Sequence, residues 1–361
     1  MWERPISKVL KMSKMLANCL IIKRLKIMEK SLFIGIDVSK NELDFAVVES
    51  NKTLFHIEVT NNKQGIDSFM KQLKRQTNFS FENSLFCMEF TGTYNNILLN
   101  YLSNKNALIW VENARQIKDS MGTLRGKTDK LDAIVIAQYA YKNRENSRIW
   151  IPKHDIIQEL DRLTTVRLRL VNAVKTLETP LTDSKDFIGK KAHKSTSNAC
   201  QGSIDALKKD IKNIENEIKK LAENDPDLKH LYEIVTSVKG ISAVIATEII
   251  IATNEFKDIT DPKKFGCYAG CVPFEKSSGK KNGKPHVSNI ANKKIKSLLH
   301  MAALSAIQHC KELKDYYHRK VAEGKNKMLV INNVRNKLIL RIFACINKNQ
   351  KYDENYTFLL V

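Results

Sequence analysis

Residues 32–40 read Leu-Phe-Ile-Gly-Ile-Asp-Val-Ser-Lys. The residues ahead of Asp37 are mostly bulky and apolar, too few for a buried helix and about right for a buried strand. A carboxylate at the end of such a strand is costly to bury without a partner. One account of Asp37 is a turn residue that ends the strand and faces water, the ordinary fate of a charged side chain. The neighbouring segments favour another account. Residues 43–49 and 53–59 have the composition of two more strands, joined by short polar turns at 39–42 and 50–52.

The pattern continues downstream. Ile66, Phe69, Met70 and Leu73 fall at i, i+3, i+4 and i+7, one face of a helix. Residues 84–88 form a fourth apolar strand ending at Glu89, and the turn Thr91-Gly92-Thr93-Tyr94 comes next. Helical spacing resumes at 97–102, and 107–111 is a fifth short apolar run. A basic, glycine-containing loop at 115–128 leads into a helix over 129–141, with Leu131, Ile134, Val135 and Gln138 on its packing face. Three strands, helix, strand, helix, strand, helix is the order of an RNase H-like α/β domain. In that layout Asp37 lies on the central strand and Glu89 ends the neighbouring one. Asp129 and Asp132, three apart, project from one side of the last helix. Clustered carboxylates repel one another unless a divalent cation neutralises them. Mg²⁺ suits oxygen ligands, and a pair of ions can clamp both sides of an in-line attack on a phosphodiester. An N-cap role for Thr128 or Asp129 would explain one acid and leave Asp132 unexplained.

Lys and Arg number 60 against 39 Asp and Glu, a formal net charge of +21, which suits a polyanionic partner such as nucleic acid. Seven scattered cysteines in a large chain suggest reduced thiols and a cytoplasmic protein. Cys267, Cys271 and His286 are too few and too loosely spaced for a zinc site. Residues 1–30 form a basic extension whose apolar patch, 15–22, is too short to span a bilayer. Met28 is the expected start, because Met-Glu-Lys runs straight into the first strand. No other segment reads as membrane-spanning.

Beyond the α/β domain, taken as 31–150, the chain turns helical. Ile156, Leu160, Leu163, Leu170, Val174 and Leu177 keep a heptad beat broken at Arg167, and Leu207, Ile211, Ile214, Ile218 and Leu221 keep a cleaner one. The polar stretch 182–202 separates them, so 155–230 reads as an antiparallel coiled-coil hairpin, ended by Asp225-Pro226-Asp227. A third, mainly helical domain is expected over 233–350. In it, two apolar segments flank Lys239-Gly240-Ile241-Ser242 like a helix-hairpin-helix, whose turn amides can bind backbone phosphate. A loop at 274–286 carries Ser277, Ser278, Gly279 and the cations Lys276, Lys280, Lys281 and Lys284. A helix at 292–307 starts with Lys293, Lys294 and Lys296, and a basic amphipathic helix closes the domain at about 327–347. Together with Arg125 and Lys127, these lysines are the candidate nucleic-acid contacts.

In order, these segments resemble the DEDD transposases of insertion sequences, relatives of the Piv invertase described as bridge-RNA-guided recombinases. The motifs are Gly-Ile-Asp-Val-Ser-Lys at 35–40, Glu89 with Thr91-Gly92-Thr93-Tyr94, and Lys127-Thr128-Asp129-Lys130-Leu131-Asp132. Tyr268-Ala269-Gly270-Cys271-Val272-Pro273 comes after them, and then Ser278-Gly279 at the family's distance. The resemblance implies that Asp37, Glu89, Asp129 and Asp132 bind metal in a RuvC-like domain, as two Mg²⁺ ions with Mn²⁺ as a substitute. It implies that Ser278 is a nucleophile that forms a phosphoserine link to DNA. It also implies a homo-oligomer, dimer or tetramer, in which acids and serine make a composite site. A structured guide RNA would select double-stranded donor and target DNA. Judged by the residues alone, a loop turn is the favoured reading of Ser277-Ser278-Gly279, and a hydroxyl needs a base or metal before it attacks; the resemblance reverses that preference.

The chain departs from the family in two places. The usual Pro-Gly-Ile-Gly hairpin is Lys239-Gly240-Ile241-Ser242 here, and Ser-Lys-x-Gly-Asn-x-x-Leu-Arg is replaced by the segment from Ser288 to Lys296. A lost glycine and Lys in place of Arg alter loop geometry and remove a bidentate fork. Three rivals remain: a RuvC-like junction resolvase without serine chemistry, a non-catalytic nucleic-acid-binding descendant, and an actin-like sugar kinase. The last would need a second Asp-x-Gly-Gly-Thr-like nucleotide segment, which the sequence lacks.

Overall fold

The computed structural model describes residues 30–121, 128–278 and 281–353, which fall into two compact units divided between Pro152 and Lys153. In the first, β1 (Leu32–Val38), β2 (Glu42–Glu49), β3 (Lys52–Thr60), β4 (Ser84–Glu89) and β5 (Leu108–Glu112) make one sheet in the order β3-β2-β1-β4-β5. β1 is antiparallel to β2 and parallel to β4, and β4 is parallel to β5. This is the topology expected of an RNase H-like domain.

β1 reads as an unbroken apolar run because both faces are covered. Leu32, Ile34, Ile36 and Val38 join the core under α1 (Lys63–Leu73), where Ile66, Phe69, Met70 and Leu73 are buried as expected. Phe33 points the other way, into a core built by α4 (Asp129–Lys142). Strand alternation puts Gly35 and Asp37 on that same side. Between α1 and α4 in sequence lie α2 (Asn96–Ser103), preceded by a 3₁₀ turn at Gly92–Asn95, and α3 (Ala114–Met121). The stretch expected to be a loop from 115 is therefore helical at its start, with Ile117 buried.

The packing face of α4 agrees with expectation at Val135, which is buried, and at Ile134, which packs against the same core, and differs elsewhere. Leu131 is 41 % exposed, and Ala133, Ile136, Ala137 and Ala140 are the residues turned to the sheet. The reason is Gly35. A Cβ there would lie 2.2 Å from both the Ala133 carbonyl oxygen and the Ala137 nitrogen, so the helix backbone rests directly on β1. Only small residues fit at such a contact.

The second unit begins with a helical hairpin, α5 (Asp155–Ser184) and α6 (Lys190–Asn224). Both helices extend into the segment expected to be irregular, which leaves only a short connection. Arg167, the break in the heptad, bonds Glu215 across the hairpin through Nε at 2.8 Å and Nη2 at 2.6 Å. Lys208 and Glu178 pair farther along at 2.6 Å. The base of the hairpin, at Ile157, Leu160, Ile218 and Ala222, shares one core with the later helices. Those are α7 (Pro226–Thr236), α8 (Ala243–Thr253), α9 (Pro262–Tyr268), α10 (Lys293–His309), α11 (Lys311–Ala322) and α12 (Lys327–Lys348). α11 has no counterpart in the pattern read from the sequence. The turn between α7 and α8 holds Gly240 at φ +93°, packed against Ala302 and Ala306 of α10.

The segment expected to be a loop at 274–286 is a two-stranded ribbon, β6 (Pro273–Ser278) and β7 (Lys281–Val287), with Ser278 paired to Lys281. Among the described residues no helix is long and apolar enough to cross a membrane.

Candidate metal centre

Each acid arrives by a separate piece of local chemistry. Asp37 is the sixth residue of β1, on the face covered by α4. Glu89 is the last residue of β4, one step beyond Met88, which pairs with Ile36. Its backbone carbonyl accepts from Asn95 Nδ2 at 2.9 Å, which ties the adjoining turn to the strand end. α4 is capped by Thr128, whose hydroxyl accepts from Leu131 N at 3.3 Å. The cap therefore does not consume Asp129, and Asp129 and Asp132 remain in the first turn, where the helix dipole favours negative charge.

Carboxylate oxygens of Asp37, Asp129 and Asp132 all lie within 4.8 Å of one another. Glu89 stands outside that triad, but its charge acts on Asp37. Burial, followed by the charges of Asp132, Asp129, Glu89 and Asp44, pushes the Asp37 pKa up from 3.8 to about 6. The donors are all oxygen, close together and mutually repelling, which is the composition that hard divalent cations fit. The cluster matches the metal-binding character that the fold implies.

Asp44 is a fifth carboxylate, which no motif in the sequence singles out. It sits directly across from Asp37 on β2, is 5 % exposed, and bonds His56 Nε2 on β3 at 2.7 Å. Its sequence signal is weak: an acid inside an apolar strand, with a partner twelve residues on that only the β2–β3 register brings near.

The sign of the Asp37 shift gives a testable result. A carboxyl with a raised pKa binds its proton more tightly in the folded state, so this group costs stability as pH rises from 3.8 towards about 6 and imposes its full cost above that. In metal-free buffer the melting temperature of the first unit should carry this downward component as pH rises through that window. Millimolar Mg²⁺ or Mn²⁺ at neutral pH should reverse it. Melting curves in chelator and in metal check both parts, and a metal-independent melting temperature at pH 7 would count against the site.

The other expected contacts are unevenly placed. Arg125, Lys127, Gly279 and Lys280 lie outside the described residues, and of Lys276, Ser278, Lys281 and Lys284 the backbone alone is described. Lys293 is exposed at the start of α10. Lys294 is engaged elsewhere: its ammonium meets the buried Glu248 carboxylate at 2.5 Å. Lys296 is half-buried, one turn into the same helix. Among the described residues the six cysteines are free, and the acid triad is the single metal-type cluster.

An RNase H-like sheet with acids gathered at the end of its central strand defines a metal-dependent enzyme of the nuclease and recombinase class. Two family models match the chain: an IS110-type DEDD model described as "Transposase" over residues 34–183, and "Transposase IS116/IS110/IS902 family" over 232–318. The chain belongs to the IS110 family of DEDD transposases, which are DNA recombination enzymes. It is 24 % identical over 327 residues to the pilin gene-inverting protein of Moraxella bovis, covering 89 % of this chain and 98 % of that one. The protein of the same description from Moraxella lacunata is 23 % identical over the same length and coverage. An uncharacterized 44.8 kDa protein of insertion element IS116 from Streptomyces clavuligerus is 19 % identical, over 81 % of this chain and 89 % of its own. Among solved structures, RuvC from Thermus thermophilus aligns with 33 % of this chain at 13 % identity and a TM-score of 0.26, covering 99 % of itself. The T. thermophilus RuvC complex with a Holliday junction substrate gives 14 % identity and a TM-score of 0.25 over the same shares.

Proposed function

We propose that this transposase cuts and rejoins double-stranded DNA at donor and target sites, using a metal-binding acid site together with Ser278 as nucleophile. The observation that carries the reading is the convergence of Asp37, Asp129 and Asp132 at the end of β1, with Glu89 alongside. Asp37, Glu89, Asp129 and Asp132 would hold Mg²⁺, as two ions, with Mn²⁺ able to replace it. Such ions neutralise phosphate charge and ease loss of a hydroxyl proton. The acids bind and orient. They repel free phosphate in the absence of metal, so activity is metal-gated by their own charge.

In the serine step the Ser278 oxygen forms a bond to phosphorus as the bond from phosphorus to the leaving deoxyribose oxygen breaks. The serine proton departs and the leaving oxygen gains one, so one phosphodiester replaces another. Rejoining runs the same exchange backwards with a new strand end and needs no nucleotide hydrolysis. The neighbouring lysines at 276, 280, 281 and 284 would hold the strand. The family resemblance adds a structured guide RNA, with which the net charge of +21 is compatible, and the α5–α6 hairpin suits assembly into a dimer or tetramer. Work on DNA of this kind would take place in the cytoplasm.

The deciding experiment is a denaturing gel of a reaction stopped midway on labelled DNA, followed by peptide mass spectrometry. Protein bonded to a DNA end through Ser278 is expected. Ser278→Ala should abolish the adduct and recombination while leaving DNA affinity within about twofold, since one hydroxyl adds little to a large ionic interface. Ser277→Ala is the control and should behave like the parent. Cleavage with free 3′-hydroxyl and 5′-phosphate ends and no adduct would remove the serine mechanism in favour of a resolvase-type metal-and-water reaction. Sequencing RNA that co-purifies with the protein tests the guide.

A further inference from the structure

Within the second unit Arg335 and His300 meet beside the segment that leads into the β6–β7 ribbon, and Lys296 lies one turn away on the same helix as His300. Arg335 on α12 is 6 % exposed, and no carboxylate among the described residues pairs with it. Its Nη2 donates to His300 Nδ1 on α10 at 3.0 Å, its charge acts on the Cys271 thiol, and its Nε has no hydrogen-bond partner. A buried guanidinium without an anion is expensive, several-fold more so than a paired one. Lys296 lies one turn before His300 on α10, and its stem crosses Gly270: a Cβ at Gly270 would be 3.4 Å from Lys296 Cδ. Gly270 itself takes φ +63°, so it can neither accept a side chain nor release that contact. Asn332 Nδ2 donates to the Cys271 carbonyl at 2.7 Å, tying α12 to the segment from which β6 starts at Pro273.

The protonation pattern is dictated by donors and acceptors. A guanidinium only donates, so His300 accepts through Nδ1 and carries its proton on Nε2. Burial and the Arg335 charge push the His300 pKa down, which keeps the ring neutral. The Nε2–H is thus free to donate to an incoming acceptor. Lys296 and His300 are half-buried, so part of each is exposed to such a group, and the charge of Arg335 lies against His300.

We propose that Lys296, His300 and Arg335 bind one phosphate of a nucleic-acid backbone, flanking the phosphate that Ser278 attacks. Donors of three kinds with no carboxylate among them select an anion, and a guanidinium matches phosphate oxygens in charge and geometry. The flanking position rests on the proposed role of Ser278 as nucleophile. Five steps of β6 at about 3.3 Å per residue carry the chain about 17 Å from Pro273 to Ser278. That separation is longer than the spacing between neighbouring phosphates of one strand, so the two phosphates are distinct. Such a site grips the strand at the ribbon's root while the chemistry occurs at its tip.

The test uses the full chain with histidine rings labelled for NMR and inorganic phosphate as the probe. A saturable shift of the His300 ring signal is expected, and a short DNA duplex or RNA oligonucleotide should move the same signal. Lys296→Gln and His300→Gln should each weaken phosphate binding about tenfold, followed for the second by phosphate-dependent thermal shift. Arg335→Lys should weaken it similarly if it folds, and the two surface-accessible variants carry the test if it does not. A His300 signal that phosphate leaves unmoved, or parental affinity in both Gln variants, overturns the site. If phosphate moves the signal but neither duplex nor RNA does, the site takes a free anion and the backbone assignment falls. These are binding readouts, so absence of a serine adduct would refute the nucleophile without touching them.

Discussion

Asp37→Asn is expected to reduce strand cleavage at least about a thousandfold while leaving the fold intact, a loss of several kcal/mol of transition-state stabilisation. Asp37 is the central member of the acid cluster, within 4.8 Å of the oxygens of both Asp129 and Asp132 and under the influence of Glu89 and Asp44. An amide preserves its shape and removes both its charge and its best ligand oxygen. Because the acids repel one another without metal, the variant should melt at or above the parental temperature in chelator at pH 7. Loss of activity through misfolding would do the opposite. Cleavage of a plasmid carrying the element's ends, run beside circular-dichroism melts, separates the outcomes. Near-parental cleavage would falsify the metal centre, and a lowered melting temperature would reassign Asp37 to structure.

The second large effect concerns a residue with no chemistry. Gly35→Ala should destabilise the first unit by about 3 kcal/mol or more and abolish metal binding with it. The new methyl group would sit 2.2 Å from two backbone atoms of α4, at Ala133 and Ala137, and backbone cannot swing aside as a side chain can. Relief requires the helix to lift from β1 by about an ångström, the shortfall from ordinary contact distance. That movement carries Asp129 and Asp132 away from Asp37. Gly189→Ala, where nothing lies within 4 Å of the added atom, should be close to neutral. Urea unfolding and Mn²⁺ titration of both variants measure the two consequences. A Gly35→Ala protein that binds Mn²⁺ with parental affinity would show that the close approach is dispensable.

The sheet is legible in the sequence because its signals are local. Runs of apolar residues, broken by Ser39-Lys40-Asn41 and Ser50-Asn51, mark β1 to β3, and an i, i+3 pair of acids marks the start of α4. Signals that depend on a partner are lost. Leu131 points to the wrong face of α4 because large apolar residues usually pack, whereas Gly35 makes alanine the packing residue on β1. The ribbon at 273–287 reads as a loop because its Lys, Ser and Gly residues carry no apolar alternation, and the pairing of β6 with β7 is set by backbone register instead. Asp44 and Arg335 belong to the same group. Each is charged and buried, and each is explained by a histidine on another strand or helix whose register no local pattern reveals.

The ion pairs in the α5–α6 hairpin settle a question of length. A seam of Leu and Ile alone tolerates sliding by a heptad, since one aliphatic layer resembles the next. Moving α6 by seven residues would set Arg167 opposite Lys208 in one direction, a like charge, and opposite the buried Ala222 in the other. Either slip also separates Glu178 from Lys208. One alignment alone satisfies both pairs, so α6 cannot slide along α5, whose thirty residues span about 45 Å from the anchored base to the distal end. The two ion pairs make the hairpin a spacer of one length, and whatever its tip meets is met at that reach.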